Sequence, residues 1–273
     1  MSKTRSFALA AASLALVVRV QAASFADAVI NYNSGADFAA GFTDPLVALG
    51  EPSRVTPGTF GGPVDPFDPA YLKSQIVSLG VGGTLTVRLG TPIFNDPAHL
   101  FGTDFLIFGN AGFIITNEFD LNTYTWVGTP ATDGSLFGAD ATGTRVSVSA
   151  DGINFFTLNP ALAPIVDGLF PTDGSGDFSQ PVNPALNAGS FAGQDLAGIR
   201  SLYNGSGGGR GFDISWAQDG GGNSVSLASI NFVRVEVLGG NAEIDGFAVV
   251  PEPAGASILL LGSLALWVAR RRQ

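Results

Sequence analysis

Near the end of the chain, Ala242 to Val250 reads AEIDGFAVV and sets two carboxylates, Glu243 and Asp245, two positions apart. In a regular strand such residues share a face, so the two acids project together. Like charges held that close repel, and one must take a proton or find a cation. Calcium takes about six to eight oxygens, carboxylates and backbone carbonyls among them, and the adjoining LGGNA stretch can offer carbonyls. The pair predicts either a structural Ca2+ site or two charges on a solvated sheet face. Other candidates carry less chemistry. His99 is the single histidine and stands in NDPAHLFG, which reads as a solvated loop. With no cysteine either, zinc sites built from two or more His or Cys side chains are excluded. DGSGD, from Asp173 to Asp177, places oxygens at alternate positions as calcium loops do. Phe178 and Pro184 then stand where a twelve-residue calcium loop needs Gly and Glu, so the stretch reads as a solvated turn. NGSGGGRG, from Asn204 to Gly211, lacks the Gly-Lys-Ser/Thr of a phosphate loop and reads as a flexible loop. No G-x-S-x-G nucleophile elbow occurs. A spatial pair of carboxylates of the glycosidase kind stays open, since 23 acidic residues are present.

The elements that must position these residues are strands. Gly at 37 and Phe at 21, against one Met, favour short strands and tight turns over helices. Thr84 to Leu89 alternates, with Leu85, Val87 and Leu89 on one face and Thr84, Thr86 and Arg88 on the other. Thr103 to Asn110 is apolar on both faces, as a central strand should be. TRVSVSADGINFFTL reads as a hairpin turning at Ala150-Asp151-Gly152. SINFVRVEVLGG turns Val233, Val235 and Val237 inward, and AEIDGFAVV is the last strand. Residues 27–70, rich in Pro, Gly and Asp, predict an irregular opening segment with at most one or two edge strands. Residues 160–212 predict a long connection holding one short helix in FAGQDLAGIRSLY. Evenly spaced strands without a βαβ rhythm predict an all-β, antiparallel β-sandwich. Val87, Phe105, Ile107, Val146, Val148, Phe156, Val233, Val235 and Ile244 should share its core.

Both ends differ from this body. Lys3 and Arg5 precede the apolar run Phe7 to Val18, and Val20-Gln21-Ala22 fits a small-residue cleavage site. This predicts a signal peptide over residues 1–22, with Arg19 awkward beside the site. At the other end, Pro251-Glu252-Pro253 leads into 16 uncharged residues, Ala254 to Ala269, and then Arg270, Arg271 and Arg272. As a helix the run would reach about 24 Å at about 1.5 Å per residue, short of the about 30 Å hydrocarbon layer. It is apolar nearly all round, unlike an amphipathic core helix. The terminal arginines belong on the cytoplasmic side, so the expectation is a short hydrophobic helix that enters the membrane. The body, residues 23–250, holds all 23 acidic residues but Glu252 among its sequence, and between Asp27 and Glu252 seven basic residues against 23 acidic ones leave −16. That field repels nucleic acid and anionic membranes.

The order Pro251-Glu252-Pro253, apolar helix and arginine cluster resembles the PEP-CTERM sorting signal. The resemblance covers residues 251–273 and implies processing by an exosortase, a membrane peptidase that cuts near the triplet and passes the protein outward. DFLIFGNAGF, RVSVSADGINF, GRGFDISWA and FVRVEVLGGNAEIDGFAVV resemble bacterial secreted jelly-roll, galactose-binding-like β-sandwich proteins. That likeness implies frequent carbohydrate binding and frequent structural calcium, and by its analogy Asp104 or Asn110 would join Glu243 and Asp245 as ligands. The combined expectation is an exported, non-catalytic surface or matrix protein in adhesion or contact with extracellular polysaccharide. The alternative is a secreted glycan-active hydrolase.

Overall fold

The computed structural model describes residues 24–252. The signal segment, Pro253 and the tail with Arg270, Arg271 and Arg272 lie outside the described residues. Ten strands make one curled sheet: β1 (Ser24–Asn33), β2 (Val77–Leu79), β3 (Thr84–Phe94), β4 (Phe105–Gly109), β5 (Gly143–Ser149), β6 (Phe156–Leu158), β7 (Arg210–Phe212), β8 (Ala217–Gln218), β9 (Ser229–Gly239) and β10 (Ala242–Val249). Their order is β7-β4-β10-β1-β3-β9-β5-β6-β8, with β2 on β10. Every pairing is antiparallel.

The curl is made by β1. Ser24 and Phe25 pair with Val249 and Ala248 of β10, while Ala26 to Asn33 pair with β3. Two register shifts, at Ala26/Ala28 and Val29/Asn31, lie along this second pairing, and such bulges bend and twist a strand. Here the structure corrects the sequence reading: residues 24–33 are no edge strand but sit at the centre of the strand order.

The alternation read from the sequence holds where a strand has one wet face. Leu85, Val87 and Leu89 of β3, Val146 and Val148 of β5, and Val233, Val235 and Val237 of β9 are buried together with Phe105, Ile107, Ile244 and Phe247. Phe156 packs on this cluster from a partly buried position, so all nine expected core residues meet in one place. In β4 the alternate residues Leu106 and Phe108 are also buried, in a second cluster with Phe178, Ala248 and Val250.

The covering for that outer face comes from residues 160–212. Two short helices occur there, α1 (Ala188–Phe191) and α2 (Leu196–Tyr203). Asp195 caps α2 by accepting from the Gly198 N–H, and Asn204 ends it in the left-handed region at φ 51°. The glycine run after it is packed, correcting the expectation of a flexible loop: Ser206 to Gly209 are buried. A Cβ on Gly209 would stand 2.7 Å from the Phe108 ring, so only glycine lets the backbone lie against it. DGSGD is a turn with one end solvated, at Ser175 and Asp177, and the other end packed. Asp173 is buried and both its oxygens are held by Arg200, at 2.7 and 3.0 Å.

Candidate metal centre

The loop between β3 and β4 is built around one carboxylate. Asp104, fully buried just ahead of β4, accepts from Ile214 N–H at 2.8 Å, Asp96 N–H at 3.3 Å and His99 Nδ1 at 2.7 Å. Burial pushes the Asp104 carboxyl up, and these three bonds pull it back toward the charged form. His99 Nδ1 is spent on Asp104, so Nε2 is the ring nitrogen that faces away from it. Asp96 closes the turn that delivers the ring: its carboxylate accepts from Ala98 N–H and its carbonyl accepts from His99 N–H.

His99 is 3% exposed, so the structure corrects the solvated-loop reading. Its Nε2 is buried and has no hydrogen-bond partner. The nearest acid is Glu252, whose Oε1 lies 3.6 Å away, longer than the about 2.7–3.2 Å of an N–H···O bond. Glu252 reaches this spot because Val250 N–H donates to the Asp104 carbonyl at 3.0 Å, tying the chain beyond β10 to the start of β4. The Glu252 and Asp96 carboxyls are neighbours there. Partial burial and the neighbouring Asp96 push the Glu252 carboxyl up, while backbone donation from Ala98 holds Asp96 down. One nitrogen and two carboxylates thus converge, with one ligand atom from each within 4.8 Å of the others. The donor set suits a divalent cation.

The residues singled out from the sequence are placed differently. Glu243 and Asp245 are buried, which rules out the solvated sheet face. Asp245 accepts from both Ser53 N–H and Ser53 Oγ, at 2.8 and 2.9 Å, and burial pushes its carboxyl up to about 7. Glu243 accepts from Ser78 Oγ at 3.1 Å, and its own N–H donates to the wholly buried Asp167. Burial raises Glu243 and raises Asp167 more strongly. Asp104 belongs to the His99 site instead, so the three expected calcium ligands sit in three separate hydrogen-bond settings. Of the expected sorting residues, Pro251 and Glu252 are described; the sequence reading had no signal that Glu252 meets His99, a contact across most of the chain.

A second opening lies on the other side of the 3-10 turn Leu100–Gly102. It has a volume of ≈ 170 Å³ and is walled by Phe101, Trp216, Phe170, Thr103 and Arg210. Arg210 stacks on Phe170 at 5.3 Å and donates through Nη1 to the Leu169 carbonyl. Its Nε is buried without a partner, and burial pulls the guanidinium down to about 10. A larger groove of ≈ 640 Å³ is lined by Asp65, Phe67, Asp68, Asp195 and Arg200 among others. Most of its acids are occupied: Asp65 accepts from Phe67 and Asp68 N–H, and Asp195 caps α2.

No family model matches this chain, and no curated protein is similar to it. Among the described residues no helix is long and apolar enough to cross a membrane.

Proposed function

We propose that this is an exported protein, addressed through Pro251-Glu252-Pro253 and the arginine-ended tail to an exosortase-type peptidase, and left at the cell surface or in the extracellular matrix. The body is read as a non-catalytic β-sandwich of jelly-roll type in contact with polysaccharide. Three observations support this. Both halves of the curled sheet, β7-β4-β10 and β3-β9-β5, turn side chains into one core, as two packed layers would. The triplet begins two residues after the last strand closes at Val249, so a cut there would release the whole body. The Arg210 pocket combines aromatic walls with a guanidinium, the mixture by which sites hold an amphipathic ring. At ≈ 170 Å³ it is smaller than the about 300 Å³ of drug-sized sites, which suits a single sugar or a chain end.

The order of triplet, apolar run and arginines, paired with the basic and apolar N-terminus, carries the sorting half of this reading. Intact-mass analysis of the protein exported by its own host tests it. The expected product ends between Val250 and Pro253; retention of Gln273 would overturn it. A glycan array tests the other half, with binding expected to fall at least tenfold in Arg210→Gln and in Trp216→Ala. One observation favours glycan hydrolysis as a second reading: Asp68 lines the larger groove beside Asp65, and burial together with the Asp65 charge pushes its carboxyl up, as an acid catalyst needs. Release of reducing sugar that disappears in Asp68→Asn would favour it.

A further inference from the structure

We propose that Asp96, His99 and Glu252 are the ligands of a divalent ion of the first-row transition type, zinc foremost, and that the bound ion fastens the segment ahead of the C-terminal tail to the body. The proposal goes beyond the sorting reading and holds whether or not the tail is an exosortase address.

The nitrogen His99 Nε2 is the starting point. It is buried, unpartnered and 3.6 Å from Glu252 Oε1, with an Asp96 carboxylate oxygen in the same cluster, and ionised carboxylates can only accept. A cation satisfies all three at once. Two ligands of a tetrahedral ion at about 2.0–2.1 Å stand about 3.4 Å apart, and the observed Nε2 to Oε1 separation is 3.6 Å. Closing the remaining ligand distances, all within 4.8 Å, takes rotation of the Asp96 and Glu252 side chains, both of which reach solvent. The ring itself is already fixed. Asp104 holds Nδ1 at 2.7 Å, the carboxylate–histidine arrangement that orients a metal-bound imidazole and raises its basicity. Two carboxylates balance the charge of a divalent ion. The imidazole nitrogen favours zinc and its neighbours over calcium and magnesium, which prefer all-oxygen sets. Three protein ligands leave a fourth position on the open side for water.

The placement of the ligands gives the ion a mechanical role. Asp96 and His99 belong to the hydrogen-bonded turn before β4, whereas Glu252 lies past the end of β10. Among the described residues only the Val250 N–H to Asp104 carbonyl bond ties backbone beyond β10 to the body. A bound ion adds a second tie two residues further along, at the middle of the triplet.

The test uses the full chain, made in a host without an exosortase and stripped with a chelator. Zinc titrated by calorimetry should bind at one ion per chain and raise the thermal midpoint, while calcium at the same concentration should not. Glu252→Gln and His99→Gln should each weaken zinc binding at least tenfold, and Asp245→Asn should leave it unchanged. If His99→Gln fails to fold, Asp96→Asn takes its place, because Asp96 reaches the surface. Hydrogen exchange should slow at the Val250 and Glu252 amides when zinc is added. Absence of stoichiometric zinc binding, or equal binding by Glu252→Gln, would overturn the site. Zinc binding with unchanged exchange at Glu252 would overturn the fastening.

Discussion

Two regions of this molecule bury acids and polar groups to a similar depth and complete them in different ways. Around β10 each carboxylate meets donors from its own chain. Asp167 takes the Ala111 and Glu243 amides, Asp245 takes both donors of Ser53, and Glu243 takes the Ser78 hydroxyl. At the start of β4 the inner carboxylate, Asp104, is equally well supplied, but what it supplies in turn is not. His99 receives an acceptor for Nδ1 and nothing for Nε2. The lesson concerns hydrogen bonds more than charge. A buried acid whose oxygens are spent on donors of the fold is part of the scaffold, whereas a buried nitrogen left without a partner beside carboxyls is where a cation is proposed. The number of acids in a region does not separate the two cases; the direction of the unspent groups does.

The comparison breaks most visibly if the scaffold acids prove dispensable. Ile107→Ala sets the scale, expected to cost about 2–5 kcal/mol because the side chain is buried in the shared core. Asp167→Ala should approach that, at about 2–4 kcal/mol, because two buried amides lose their acceptor. Urea unfolding followed by circular dichroism checks both, and a loss below about 1 kcal/mol for Asp167→Ala would remove it from the scaffold.

The next effect is pH dependence. Burial raises Asp245 to about 7 in the folded protein, against about 3.9 when unfolded. Between these values the folded state holds a proton that the unfolded state has released. Stability from this group is therefore full below about pH 4, falls as pH rises and is lost above about pH 7. The raised Asp167 and Glu243 carboxyls act in the same direction. The urea midpoint should be higher at pH 5 than at pH 8, and Asp245→Asn should flatten part of that slope. A slope unchanged in the variant would show that Asp245 does not titrate in this range. The smallest effect belongs to the other region. Without metal, Glu252→Gln should change stability by less than about 1 kcal/mol, since its side chain is one-third exposed.

Much of the scaffold was legible because it rests on local periodicity. Val233, Val235 and Val237 read as inward from spacing alone, and Phe105 to Phe108 read as buried on both faces because all four are apolar. β1 was not legible: SFADAVINYN mixes Asp and Asn among its apolar residues, and the two bulges break the alternation a period-two reading needs. The glycine run after α2 looked loose because glycine marks both flexible loops and close approach; only the Phe178 and Phe108 rings beside Gly207 and Gly209 decide between them. At the site, the spacing of Glu243 and Asp245 was visible but Ser53, far away in sequence, was not. His99 and Asp104 are five residues apart and could have been paired by inspection. Nothing in the sequence brings Glu252 to them; that follows from where β10 ends beside β4.

The most direct test is anomalous scattering, measured at the zinc edge, from crystals of the full chain grown with zinc. The account predicts one strong peak within about 2.0–2.2 Å of His99 Nε2 and of the Asp96 and Glu252 carboxylates, and none beside Glu243, Asp245 or Asp167. A peak at those acids of β10, or an empty His99 site at saturating zinc, would contradict it.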